Sequence, residues 1–125
     1  MKNVAGAVLY DWDGQPTDAP MALLTRRRVM AERIMVSQVR LDKGCDVPTH
    51  SHENEQICIV LSGKLRFGIG ADGTGQRQEC TVEPGQVLLL PSNVPHSAFA
   101  VEQTLVLDIF SPPSAGTGID HVGKE

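Results

Sequence analysis

Glycine and proline cut this chain into short pieces, and that habit limits what it can fold into. There are 12 glycines and 8 prolines in 125 residues. Between them lie brief apolar and β-branched runs such as "QICIVLSG" (56–63), "KLRFGIG" (64–70), "VLLLP" (87–91), "HSAFAVE" (96–102) and "TLVLDIF" (104–110). Runs of this kind, bounded by turn formers, read as strands, and many in succession read as a sandwich or barrel. "LLTRRRV" (23–29) and "RIMVSQVRL" (33–41) extend the pattern towards the N-terminus. A helix over 22–36 competes there, because Ala, Met, Glu and Arg are good helix formers. Strands are the preferred reading. The Ser62-Gly63 pair predicts a hairpin between 56–63 and 64–70. "ADGTGQ" (71–76) predicts a loop with turn chemistry at Asp72-Gly73. The segment from Ser111 onward is rich in Pro, Gly and Ser and predicts no regular structure.

The chain length fits one compact domain, 1–125, with N-terminal strands over 1–43, the barrel over 44–110 and a tail over 111–125. A 41% hydrophobic share with 21% charged residues is ordinary for a globular protein. The net charge of −4 argues against a nucleic-acid surface. Cys45, Cys58 and Cys80 are odd in number and form no CxxC pair, so they read as buried thiols of a reducing compartment. No apolar run approaches the roughly 18 residues of a membrane span. "VAGAVLY" near the N-terminus lacks a convincing cleavage segment, and a cytoplasmic location is expected.

His50 and His52 sit one residue apart in "PTHSHENEQ". On a strand they point to one face and can converge on one ion. A straight strand would carry Gln56 about 20 Å beyond His50, at about 3.3 Å per residue. Metal–ligand bonds are about 2 Å, so for Gln56 to share the ion the chain must turn within "ENE" and Gln56 must enter on the next strand. His96, behind the rigid "PSNVP" turn, offers a third imidazole. The fourth histidine, His121, lies in the tail and reads as incidental.

These residues resemble the cupin superfamily. "GCDVPTHSHENEQICIVLSG" is similar to its first motif, supplying Gly44, His50, His52, Gln56 and Gly63, with Gln where Glu is usual. "GQVLLLPSNVPHSAFA" resembles the second, supplying Gly85, Pro91 and His96, with Asn93 in place of Gly and Ala100 in place of Asn. The resemblance implies an antiparallel jelly-roll barrel, the double-stranded β-helix. Gln56, "PSNVPHSA" and "LDIFSPP" together look like a narrower group, the small cupins of pectin and alginate degradation that convert 4,5-unsaturated monouronates to linear keto acids. That likeness implies metal ligands His50, His52, Gln56 and His96 and a catalytic pair, Asp108 and Phe110. It also implies a small carboxylated substrate. The group usually continues "SPP" with an arginine, a natural carboxylate clamp, where this chain has Ser114.

A neutral Gln56 leaves a divalent ion in the site at +2, where a glutamate would bring it to +1. A more positive site is a stronger Lewis acid and suits non-redox chemistry on an anionic substrate. Imidazole and amide ligands favour Ni, Zn, Fe or Mn over Ca or Mg. Asp108 shares a face with Val106 and Phe110, and an acid among apolar neighbours has a raised pKa suited to proton transfer. A structural alternative pairs Asp108 with Arg40. Cys58 shares a face with Gln56 and Val60 and reads as packing. Arg26, Arg27 and Arg28 alternate faces on a strand. They read first as a solvated or subunit-facing run, and alternatively as one or two side chains reaching the barrel mouth to bind a carboxylate. Ile57, Ile59 and Leu61 make their strand apolar on its outer face too, which predicts a homodimer using the N-terminal strands. The leading functional expectation is a metal-dependent enzyme of carbohydrate metabolism that ketonises or isomerises a carboxylated sugar. A cupin dioxygenase, a lyase on a small organic acid and a non-catalytic sugar-binding cupin are the alternatives.

Overall fold

The computed structural model describes residues 1–117, so His121 lies outside the described residues. Twelve strands follow in order: β1 (Lys2–Val4), β2 (Ala7–Leu9), β3 (Asp18–Met21), β4 (Leu24–Met30), β5 (Met35–Leu41), β6 (Asp46–His50), β7 (Glu55–Ser62), β8 (Leu65–Ile69), β9 (Gln78–Val82), β10 (Val87–Leu90), β11 (His96–Ala100) and β12 (Thr104–Ser111). A short 3₁₀ turn spans Trp12–Gly14. The helix that competed over 22–36 is absent. Its residues form the antiparallel β4–β5 pair instead, with Arg28 opposite Ser37 and Val29 opposite Val36.

Two sheets carry the body, a six-stranded one ordered β10-β7-β12-β5-β4-β3 and a four-stranded one ordered β6-β11-β8-β9. This is the jelly-roll arrangement of a double-stranded β-helix. The period-two alternation of sequence becomes a period-two alternation of burial. On β12, Thr104, Val106, Asp108 and Phe110 are buried while the residues between them are partly exposed. On β5, Met35, Ser37, Val39 and Leu41 do the same. Val106, Val39 and Leu41 from these strands meet Val47, Val60, Leu65, Phe67, Val82 and Leu90 in one core between the sheets.

The hairpin expected at Ser62-Gly63 does not form. β7 pairs with β10 and β12, whereas β8 pairs with β9 and β11, so the chain crosses from one sheet to the other there. Gly63 makes the crossing possible. It adopts φ +91°, and a Cβ there would stand 2.6 Å from the Thr104 Cα. The true hairpin is β8–β9, closed by the loop holding Asp72-Gly73. Cys45 and Cys58 are buried as expected, but Cys80 is exposed because β9 is an edge strand. No helix among the described residues is long and apolar enough to cross a membrane.

Residues 112–117 are tied to the barrel, although composition predicts no regular structure there. Asn54 Nδ2 donates to the Pro112 carbonyl, Arg28 Nη1 donates to the Ala115 carbonyl, and Thr117 is 3% exposed.

Candidate metal centre

Each sheet brings part of the site. His50 closes β6 and His96 opens β11, and the two are direct cross-strand partners on the smaller sheet. Gln56 on β7, with Asp108 and Phe110 on β12, comes from the larger sheet, where Phe110 lies opposite Gln56 and Asp108 opposite Cys58. His52 belongs to the connection between β6 and β7. The chain leaves one sheet at His50 and re-enters the other at Glu55, the turn that the distance argument required. The second motif holds this connection in place, since the Asn93 amide donates to the His52 carbonyl at 2.8 Å. Asn93 has φ +66°, so the residue standing where the motif has Gly keeps a glycine-like backbone, which Asn tolerates well.

The three imidazoles place their ligand atoms within 4.8 Å of one another. Ring centroids are 4.4 Å apart for His50 and His96, 5.2 Å for His52 and His96, and 5.8 Å for His50 and His52. All three follow one pattern of hydrogen bonding. Nδ1 of His50 lies 2.9 Å from the Pro48 carbonyl, that of His52 3.0 Å from the Asn54 carbonyl, and that of His96 2.9 Å from the Val94 carbonyl. A carbonyl only accepts, so these contacts assign the proton to Nδ1 and leave Nε2 with a bare lone pair. His96 Nε2 is buried without a hydrogen-bond partner, a costly position for a polar atom unless something electron-poor sits beside it. Burial pushes His50 below its ordinary value and His96 down to about 4, so His96 is neutral at pH 7. Three convergent lone pairs, that of His96 fully buried, fit a divalent cation, with the Nδ1–carbonyl bonds orienting the rings.

Gln56 is 6% exposed and faces two ways. Its Nε2 donates to Asp108 Oδ1 at 3.0 Å, which turns Oε1 towards His52 Nε2 at 3.2 Å. With the His52 proton on Nδ1, those last two atoms are both acceptors, and a cation between them would relieve the opposition. Asp108 is 7% exposed, and burial raises its carboxyl from 3.8 to about 6 against the opposing hydrogen bonds from Gln56 and Cys58. Arg40 does not pair with it. That side chain is exposed, so the salt-bridge alternative fails. Cys58 does more than pack, because its thiol donates to Asp108 and burial pushes it up as well. Phe110 stands with its ring 5.7 Å from that of His52.

His50, Gln56, His96, Asp108, Phe110 and Thr117 line, with apolar core side chains, a cavity of about 30 Å³. Thr117 was not expected there. Composition marked its segment as loose, and no local pattern announces a residue that folds back from the tail. The arginine run is not a solvated patch either, since Arg26 is 4% exposed and pairs with Asp18 at 2.9 Å.

Among solved structures, the chain resembles KdgF from Halomonas sp. at 24% identity and a TM-score of 0.75, over 86% of this chain and 96% of that one. It resembles an RmlC-like cupin from Shewanella frigidimarina at 20% identity and a TM-score of 0.73, over 85% and 91%. It also resembles oxalate decarboxylase from Bacillus subtilis at 21% identity and a TM-score of 0.76, over 86% of this chain but 30% of that one. These likenesses establish the fold. No curated protein sequence matches the chain. The family described as the Cupin domain matches residues 37–110, which span both histidine motifs and Asp108. With more than half of its length inside that match, the chain belongs to the cupin family.

Proposed function

We propose that this cupin is a metal-dependent enzyme that ketonises or isomerises a small carboxylated sugar, of the 4,5-unsaturated uronate class, by non-redox acid–base chemistry. The observation that carries the reading is the two-way Gln56 amide, oxygen towards His52 and NH₂ on a buried carboxyl group poised to exchange a proton near neutrality. The resemblance to the pectin and alginate cupins and the fold shared with KdgF support the same choice.

His50, His52, His96 and Gln56 would hold the ion, drawn from Ni, Zn, Fe or Mn. Such an ion supplies Lewis-acid polarisation of a substrate oxygen. Linearising an unsaturated uronate changes no overall oxidation state. The ring C–O bond opens, a hydroxyl proton leaves and a proton arrives at the neighbouring alkene carbon. Asp108 is the group that takes and returns that proton, and its pKa of about 6 suits both directions. Gln56 fixes the carboxyl by donating to Oδ1, while Phe110 forms the apolar wall against which a ring would rest.

The test is metal analysis of the purified protein, then a screen in which loss of the ultraviolet absorbance of the unsaturated acid reports turnover. Oxygen uptake during turnover would replace this reading with a dioxygenase. Binding without turnover would replace it with a sugar-binding cupin.

A homodimer is part of the proposal. Ile34, Ile57, Leu61, Val87 and Leu89 are exposed, and β1 and β2 form a sheet of their own apart from the body. An isolated two-stranded sheet is marginal in water, and a second copy would cover both apolar surfaces. The unpaired thiols fit a reducing, cytoplasmic setting.

A further inference from the structure

The cavity at the histidines holds about 30 Å³, room for about two waters. Pockets for small organic ligands run from about 300 Å³ upward. The proposed sugar acid therefore needs the site to widen, and among the described residues Thr117 is the one residue of its wall that comes from the tail. Thr117 belongs to a strap, residues 112–117, tied to the barrel through Asn54 at Pro112 and Arg28 at Ala115.

Arg28 is placed to do more than tie down a strap. It lies on the inner face of β4, in one cross-strand row with Ser37, Asp108 and Cys58. Two strand spacings put its backbone about 10 Å from that of Asp108, within reach of a ligand held between the two side chains. Its nearest partner is a neutral group, the Ala115 carbonyl at 2.7 Å. Among the described residues its one carboxylate contact is long, 3.5 Å to Asp18, whose oxygens already accept bonds of 2.9 and 3.1 Å from Arg26. Displacing the strap would take from Arg28 its nearest acceptor.

We propose that Arg28 determines specificity by binding the substrate's carboxylate, and that the 112–117 strap keeps its guanidinium on the Ala115 carbonyl until substrate displaces it. The carboxylate takes over the carbonyl's place as acceptor and adds a charge–charge attraction. This gives the site a cationic anchor from β4 where Ser114 offers none in the tail. The inference rests on the carboxylated-sugar reading above.

The experiment titrates Ni²⁺-loaded protein with D-galacturonate and, in parallel, with neutral D-galactose. Wild type should bind the acid in clear preference to the neutral sugar. R28Q should weaken galacturonate binding about tenfold or more, R28K should recover part of the loss, and R27Q should match wild type. Arg27 is the control because it faces away, bonded to Thr17 and Asp13. Equal metal content and melting temperature across the set show that R28Q folds. Strap movement is read separately by thiol modification of T117C in a C80S background, which should speed up about tenfold or more with saturating galacturonate. Unchanged affinity in R28Q overturns the role of Arg28 while leaving the sugar-acid reading intact. An unchanged labelling rate overturns the strap. No preference of wild type for galacturonate over galactose overturns the sugar-acid reading, and this proposal with it.

Discussion

Gln56 donates its amide hydrogen to Asp108 across 3.0 Å, although the two residues are 52 positions apart in the chain. A glutamate at 56 would lose that donor and set a second carboxylate against the first. Two carboxylates in one buried site cannot both ionise easily, so the proton would be held more tightly between them. The Q56E variant should therefore retain its metal yet lose about tenfold or more in turnover at pH 7. The limb of its pH–rate profile set by the Asp108 carboxyl should move up by about one unit or more. Metal analysis and a pH–rate series check this. An unshifted profile with wild-type rates would show that the amide is a spectator.

The stranded Nε2 of His96 predicts linkage between metal and stability. A cation that binds only the folded arrangement raises the melting temperature as its concentration rises. Wild-type protein should melt higher with Ni²⁺ or Zn²⁺ than with a chelator, and H96A should lose both the shift and the bound metal. Burial lowers His50 and brings His96 down to about 4, so protons compete weakly for the His96 ring and the wild-type shift should persist at pH 6. A shift of full size in H96A would place the ion elsewhere.

Asp108 links activity to a cost in stability. Its folded pKa of about 6 exceeds its ordinary value of 3.8, so between those values the folded state binds more protons than the unfolded state. Its relative contribution is most favourable below about pH 4 and is lost as pH rises through about 6. In metal-free protein D108N should flatten that slope and gain stability at pH 8, by at most on the order of 3 kcal/mol. The same substitution should cut turnover about a hundredfold or more with metal content unchanged. Chemical denaturation at several pH values and a turnover assay test both halves. Loss of metal or of folding would recast Asp108 as structural.

Gly63 predicts a purely structural defect. An alanine there would hold φ near +91° with its Cβ 2.5 Å from Thr104 Oγ1 and close against the Gln103 carbonyl. Backbone is the obstacle, so the clash cannot be relieved by turning a side chain. G63A should cost about 3 kcal/mol and lower the melting temperature while its residual folded fraction still binds metal. Wild-type stability would mean that the sheet crossing tolerates a side chain.

Features set by neighbouring residues were legible in the chain, and features set by distant ones were not. The alternation in "TLVLDIF" placed Asp108 and Phe110 inward because side-chain parity on a strand is local. The separation of His50 from Gln56 forced a turn for the same reason. Sheet partnership is non-local, so "QICIVLSG" and "KLRFGIG" looked like a hairpin although they belong to different sheets. The thiol of Cys58 on Asp108 depends on the β7–β12 register, which no short window contains. Thr117 was hidden because its segment is tied down by side chains far away in the sequence, Asn54 at Pro112 and Arg28 at Ala115, and such contacts leave no mark on composition.

The outer face of the larger sheet supplies the last prediction. Leu89 lies opposite Ile57, and Ile57 opposite Ile109, so apolar side chains continue across three strands. Leu89 is 56% exposed and Ile57 37%. If a second copy covers this stripe, charges placed on it must oppose assembly, since a buried ammonium without a partner is strongly disfavoured. The double variant I57K/L89K should sediment at the mass of a single chain while wild type sediments at twice that mass. Metal content should stay the same in both, because these side chains point away from the histidines. Wild type sedimenting as a single chain at micromolar concentration would rule out the dimer.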